Sequence, residues 1–157
     1  MRGYASETNV DVGRTKGEID TMIQRAGGRD FISGVLEEKG FVMFKAKGRM
    51  IRFTIPIPKL DEFRRNGRGA RRTDSQTIKA HEQEVRVRWR RLLLIIKAKL
   101  ESSTSGIETF EEAFLAQTVL PDNSTVGQWA AEAIPHALQH RVVPTLALGP
   151  AKESGAT

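Results

Sequence analysis

Apolar positions recur along the chain with two periods, and the switches between them outline the elements. Ile19, Met22, Ile23 and Ala26 fall three and four apart, behind a T-x-x-E pattern at Thr15 and Glu18 and ahead of Gly27-Gly28. That spacing predicts a short amphipathic helix with a capping box and a glycine stop. The period then drops to two. FISGVLE (31–37), FVMFKA (41–46) and RMIRFTIPI (49–57) read as three antiparallel strands, the first two joined by a turn at Glu38-Lys39-Gly40. A two-residue turn at Lys47-Gly48 would set Val42 opposite Phe53 and Phe44 opposite Ile51. Opposed residues share a sheet face. Val42, Phe44, Ala46, Ile51, Phe53 and Ile55 therefore form an apolar face, and Phe41, Met43, Lys45, Met50, Arg52 and Thr54 form the other. Pro56 and Pro58 end the third strand, since proline cannot continue the ladder.

The helical period returns after a polar loop. Thr73 and Gln76 resemble a capping box, and Ile78, His81, Val85, Trp89, Leu92, Ile96 and Leu100 follow at three- and four-residue spacing. The stripe spans about 24 residues, or roughly 36 Å of helix. Ser102 to Gly106 reads as a flexible break. Thr109 and Glu112 cap a short helix over Phe110, Ala113 and Phe114; Pro121-Asp122-Asn123 is a turn. A last helix starts at Ser124 or Thr125 and runs through Gln128 and Trp129, with Pro135 expected to kink or end it. Trp89 and Trp129 sit on apolar stripes and are expected in the core. Residues 1–14 read as an extended lead-in, 15–143 as one domain, and 144–157, rich in Pro, Gly and Ala, as a disordered tail. The fold class expected is α+β: a three-stranded antiparallel meander, a short N-terminal helix, one long amphipathic helix and two short C-terminal helices.

Charge changes this picture more than composition does. The formal net charge is +6, but its distribution is uneven. Residues 45–101 hold seventeen Lys or Arg against six Asp or Glu, whereas 1–44 hold six against seven and 102–157 two against six. A basic middle between mildly acidic ends points to a polyanionic partner, unless the acidic C-terminal third folds onto it. The densest part is the loop 62–73, where Arg64, Arg65, Arg68, Arg71 and Arg72 are spaced by Asn66, Gly67 and Gly69. So polar and glycine-rich a loop is expected to be mobile.

Little else suggests chemistry. The chain has no cysteine, which excludes disulfides and thiolate zinc sites. The N-terminus MRGYASETNV lacks the apolar run of a signal peptide, and the longest aliphatic run, Leu92 to Ile96, is too short to span a bilayer. His81 lies on the apolar stripe and is expected to be structural. Glu132, His136 and His140 have a metal-like spacing, but Pro135 would break the helix that aligns them, so no metal site is assigned. No P-loop, dinucleotide fingerprint or nucleophile–base pair is present. No catalytic residue and no cofactor are assigned, and an enzyme is not expected.

The segments YASET, IRFTIPIP, RWRRLLLIIKAKLE and FEEAFLAQTVLPDNSTVGQW resemble a family of small uncharacterised phage and prophage proteins, over roughly Tyr4 to Ala133. The resemblance implies a phage-type accessory protein in the cytoplasm of a bacterial host. It lends no activity and no site residue. The order helix, three strands, helix is also that of a double-stranded-RNA-binding domain. Here the Gly-Pro-x-His turn is missing, and TDSQTIKAH stands where that family has a lysine cluster. Small phage single-strand annealing proteins also combine a hairpin with a long helix, an analogy of elements only.

Taken together, these features favour sequence-tolerant nucleic-acid binding, to single- or double-stranded DNA or to RNA, in phage replication or recombination. The candidate contacts are Lys45 and Arg52 on the outer hairpin face, the five loop arginines, and Phe41 as a stacking ring, unless the first or last helix covers it. The main alternative is a module that binds or inhibits a host protein, its arginines meeting an acidic surface. A virion or assembly component is a third class.

Overall fold

The computed structural model describes residues 8–143. The expected disorder of 144–157 and the first half of the lead-in lie outside them. The elements run α1 (Val12–Arg25), β1 (Arg29–Leu36), β2 (Lys39–Ala46), β3 (Arg49–Pro56), a 3₁₀ turn (Leu60–Phe63), α2 (Asp74–Ser105), α3 (Phe110–Phe114) and α4 (Val126–His140). The sheet is an antiparallel meander in the order β1-β2-β3, so the expected α+β class and element order hold.

The β2–β3 hairpin has the register its sequence dictates: Val42 pairs with Phe53 and Phe44 with Ile51. Lys47 and Gly48 both take positive φ, 50° and 75°, which matches the twist of the flanking strands. The inner face is buried through Val42, Phe44, Ala46, Ile51 and Phe53. Onto it pack Ile19 and Ile23 of α1, Trp89, Leu92, Leu93 and Ile96 of α2, and Ala113 and Phe114 of α3. Among the described residues, helices thus cover one face of the sheet only.

Several local expectations need correction. The first turn is Glu37-Glu38, both at positive φ (47° and 60°), and it pairs Leu36 with Lys39. Gly40 is not a turn residue but an inner-face strand residue. A Cβ there would lie 2.7 Å from Ile55 Cγ1 and 3.1 Å from Trp89 Cζ2. Glycine is required because the tryptophan ring closes onto the strand. α1 begins at Val12, inside the expected lead-in, with Asp11 Oδ2 accepting from the Gly13 amide at 2.8 Å. Thr15 is fully buried in the first turn instead of capping it. Cap spacing and same-face spacing coincide, and the packing of Val12 against the core favours the longer helix.

α2 has 32 residues, about 48 Å at 1.5 Å per residue. It runs through the expected break as far as Ser105 and stops at Gly106 in the left-handed conformation. His81 is structural, with Nε2 2.9 Å from the Pro58 carbonyl. Pro135 does not end α4, which continues to His140. Pro135 and Ala131, four residues before it, are both exposed, so the carbonyl that loses its helical donor can bind water. Trp129 is half-buried and stands outside the core cluster. Among the described residues, no helix is long and apolar enough to cross a membrane.

At the head of α2 the capping box closes in both directions. The Gln76 amide donates to Thr73 Oγ1 at 3.2 Å, and the Thr73 amide donates to Gln76 Oε1 at 3.0 Å. Thr73→Ala is expected to cost about 1 kcal/mol in equilibrium urea unfolding. A loss under about 0.3 kcal/mol would mean that tertiary packing alone fixes the helix start.

Candidate nucleic-acid interface

The outer face of the sheet is assembled from all three strands. Register puts Ile32, Gly34 and Leu36 of β1 on the same side as Phe41 and Met43 of β2 and as Arg52 and Thr54 of β3. The Phe41 ring lies across Gly34, where a Cβ would be 3.0 Å from two ring carbons. That absence of a side chain seats the ring on the strand and leaves it partly exposed. No helix covers it. Ile32 and Leu36 are 56% and 68% exposed, so this is an open face.

The chain after α3 turns the open face into a cleft. Thr118 bridges Ile51, and the Val119 amide donates to the Met50 carbonyl at 2.9 Å. This segment lies along the free edge of β3 and closes a small hairpin at Pro121–Ser124. Asp122 Oδ1 accepts from the amide and hydroxyl of Ser124, and these bonds hold its carboxyl below the usual carboxylate range. Asn123 follows in the left-handed conformation, φ 66°. Its backbone oxygen accepts from Arg52 Nη2 at 2.8 Å and its Oδ1 from Nη1 at 3.2 Å. Gln128, in the first turn of α4, completes the group through Oε1. The result is a cleft of about 390 Å³ lined by Leu36, Glu37, Phe41, Arg52, Asn123 and Gln128, with Lys39, Met43 and Thr54. That volume lies in the range of small-ligand sites.

Of the expected contact residues, only Phe41 and Arg52 meet here. Lys45 lies toward the far end of the strand and pairs with Asp30 at 2.9 Å. The lysine, by hydrogen bond and by charge, holds the Asp30 carboxyl below its ordinary pKa. Lys45 is thus partly neutralised and does not line the cleft. The arginine loop is also separate from it, and it is folded instead of loose. Asn66 Oδ1 accepts from the amides of Arg68 and Ala70, and the Asn66 amide donates to the Ala70 carbonyl. Arg65 donates to the Gly69 carbonyl, Arg72 to the carbonyls of Phe63 and Arg65, and Arg64 to Asp61. Three arginines therefore staple the loop. Arg68 and Arg71 are exposed and their guanidinium groups bind no described residue.

The described part of the acidic third does not neutralise the basic middle. Of its seventeen cations, Lys45, Arg49, Lys59, Arg64, Arg88 and Arg90 have ion pairs with described acids. Only Arg49, which meets Glu111, pairs with a described acid after residue 101. His136 and His140 stack at 4.2 Å on the unbroken α4, and His140 Nδ1 lies 2.9 Å from the His136 carbonyl. The premise that Pro135 breaks the helix aligning Glu132, His136 and His140 therefore fails. Among the described residues, no three His, Asp or Glu side chains gather to hold a metal.

Asn123, Gln128, Lys39, Thr54 and Glu37 are cleft residues that the sequence pattern did not single out. Asn123 carried only a turn signal and Gln128 only a place in the last helix, and 71 and 76 residues separate them from Arg52. No family model, curated protein or solved structure matches this chain.

Proposed function

We propose that the protein is a sequence-tolerant nucleic-acid-binding accessory protein, acting on DNA. The single observation that carries this is the unneutralised basic middle: eleven of its seventeen cations have no ion pair with a described acid. Phosphates take up such charge with release of counterions, which supplies most sequence-independent affinity. Arg68 and Arg71 present, from a folded loop, guanidinium groups that bind no described residue, and each can bond a phosphate bidentately. The outer sheet face adds a partly exposed ring, Phe41, of the kind on which single-stranded bases stack. The resemblance to phage and prophage proteins supports a role in phage replication or recombination, in the cytoplasm of a bacterial host.

The test is a salt titration of oligonucleotide binding by wild type and by the Arg68→Ser, Arg71→Ser double variant. If each arginine neutralises one phosphate of a single strand, the double variant should flatten the slope of log K against log salt by about 1.4. Stability should stay within about 0.5 kcal/mol, because neither side chain holds the loop together. No binding to DNA or RNA at low salt, or an unchanged slope in the double variant, would refute the proposal.

A second function, docking of a protein partner, has one observation behind it. A groove between α1 and α2 is lined by Met22, Leu93 and Leu94 with Arg14, Arg25, Arg90 and Lys97, against one acid, Glu18, which pairs with Arg14 and Arg90. An acidic amphipathic helix would fit such a groove. It gains precedence if the oligonucleotide titration is negative.

A further inference from the structure

The hydrogen bonds around Arg52 fix the orientation of two amides. A guanidinium has donors and no acceptor. Asn123 must therefore turn Oδ1, not Nδ2, toward Arg52. Gln128 turns Oε1 to the Thr125 amide at 2.8 Å and toward Arg52 at 3.4 Å. With both oxygens taken, Asn123 Nδ2 and Gln128 Nε2 remain as donors, and neither has a partner among the described residues. Both residues line the cleft that also holds Phe41, Thr54, Lys39 and Glu37. The cleft is thus rich in positioned donors, with one carboxylate, from a turn at positive φ, among its lining residues.

We propose that this cleft seats one unstacked base of a single strand and prefers thymine or uracil to adenine. The proposal rests on the nucleic-acid binding inferred above and adds a base preference to it. The pairing edge of thymine reads acceptor, donor, acceptor. Its two carbonyl oxygens match the two amide donors, and its N3–H matches the Glu37 carboxylate or the Thr54 hydroxyl. Adenine carries an amino donor where thymine carries O4, and that amino group would face an amide NH₂ with no acceptor between them. Phe41 supplies the stacking surface, as aromatic side chains do for splayed bases. Arg52 directs three of its five N–H donors at Asn123 and Gln128, so here it chiefly fixes the two amides.

Gln128→Glu isolates the donor. Glutamate at that position still closes the capping box of α4, and its carboxylate still accepts from Arg52. The Nε2 donor is replaced by an acceptor oxygen, which repels a thymine carbonyl and can accept from an adenine amino group. Affinities for oligothymidylate and oligoadenylate of about twelve nucleotides, within the usual site size, are measured by fluorescence anisotropy at one salt concentration. The wild type should favour oligothymidylate, and the variant should narrow that ratio by about tenfold. The added negative charge weakens both oligonucleotides alike. Stacking in free oligoadenylate is the same for both proteins, so the change in ratio isolates the base contact. If Gln128→Glu melts early, Asn123→Asp gives the same test, since aspartate also tolerates positive φ. An unchanged ratio in a folded variant that still binds overturns the base preference and leaves phosphate-driven binding standing. No binding of the wild type to either oligonucleotide overturns both.

Discussion

Phe114→Ala is expected to destabilise the protein by about 3–5 kcal/mol, as loss of a fully buried aromatic does. Phe114 has no exposed surface. The edges of Phe44 and Phe53 meet it at ring-centre distances of 6.2 Å, and Phe110 stacks on it at 4.6 Å. The ring joins the inner face of the hairpin to the segment that goes on to build the cleft. Domain stability is commonly about 5–15 kcal/mol, so the variant would stand near the margin of folding. Phe110→Ala, at a half-buried position, should cost distinctly less. Equilibrium urea unfolding decides it: a loss below about 1 kcal/mol for Phe114→Ala would mean that α3 is not anchored in the core.

The hairpin was legible because its constraints are local and redundant. A two-residue turn at Lys47-Gly48 fixes register, and the alternation on both strands then agrees without adjustment. Helix starts with a reciprocal cap, at Thr73 and Thr109, were legible for the same reason, whereas the last was narrowed only to Ser124 or Thr125, of which Thr125 is the cap. What failed depended on tertiary packing. Thr15 and Glu18 match a capping box, yet burial puts Thr15 inside the helix. Gly40 looks like punctuation, yet its role is to admit the Trp89 ring. Proline at 135 predicts a break, yet an exposed helix face tolerates it.

The candidate site was half legible. Strand alternation put Phe41 and Arg52 on one face, and that face is the one left open. The sequence could not show that a turn 71 residues further on returns to meet Arg52. Nor could charge counting show which loop arginines are engaged. Five guanidinium groups in one loop look equivalent as letters, but carbonyls of Phe63, Arg65 and Gly69 and the carboxylate of Asp61 engage three of them. Replacing all five would unfold the loop along with removing its charge, which is why Arg68 and Arg71 are the informative pair.

Phe41→Ala is expected to weaken single-strand binding by about 1–3 kcal/mol, the range found when a base loses its aromatic platform. The ring is well placed for this, because Gly34 beneath it gives it a flat seat on the strand and the cleft opens beside it. Alanine alone would be ambiguous, since Phe41 also covers part of the sheet. Leucine restores the apolar cover without a π-face, and tyrosine restores the ring. If Phe41 stacks on bases, leucine should bind nearly as poorly as alanine and tyrosine nearly as well as wild type, with urea midpoints of leucine and tyrosine close to wild type. Duplex DNA, whose bases are already stacked, should show a much smaller loss in every variant. Leucine binding as tightly as phenylalanine would assign the ring to packing alone and leave the phosphates to carry the affinity.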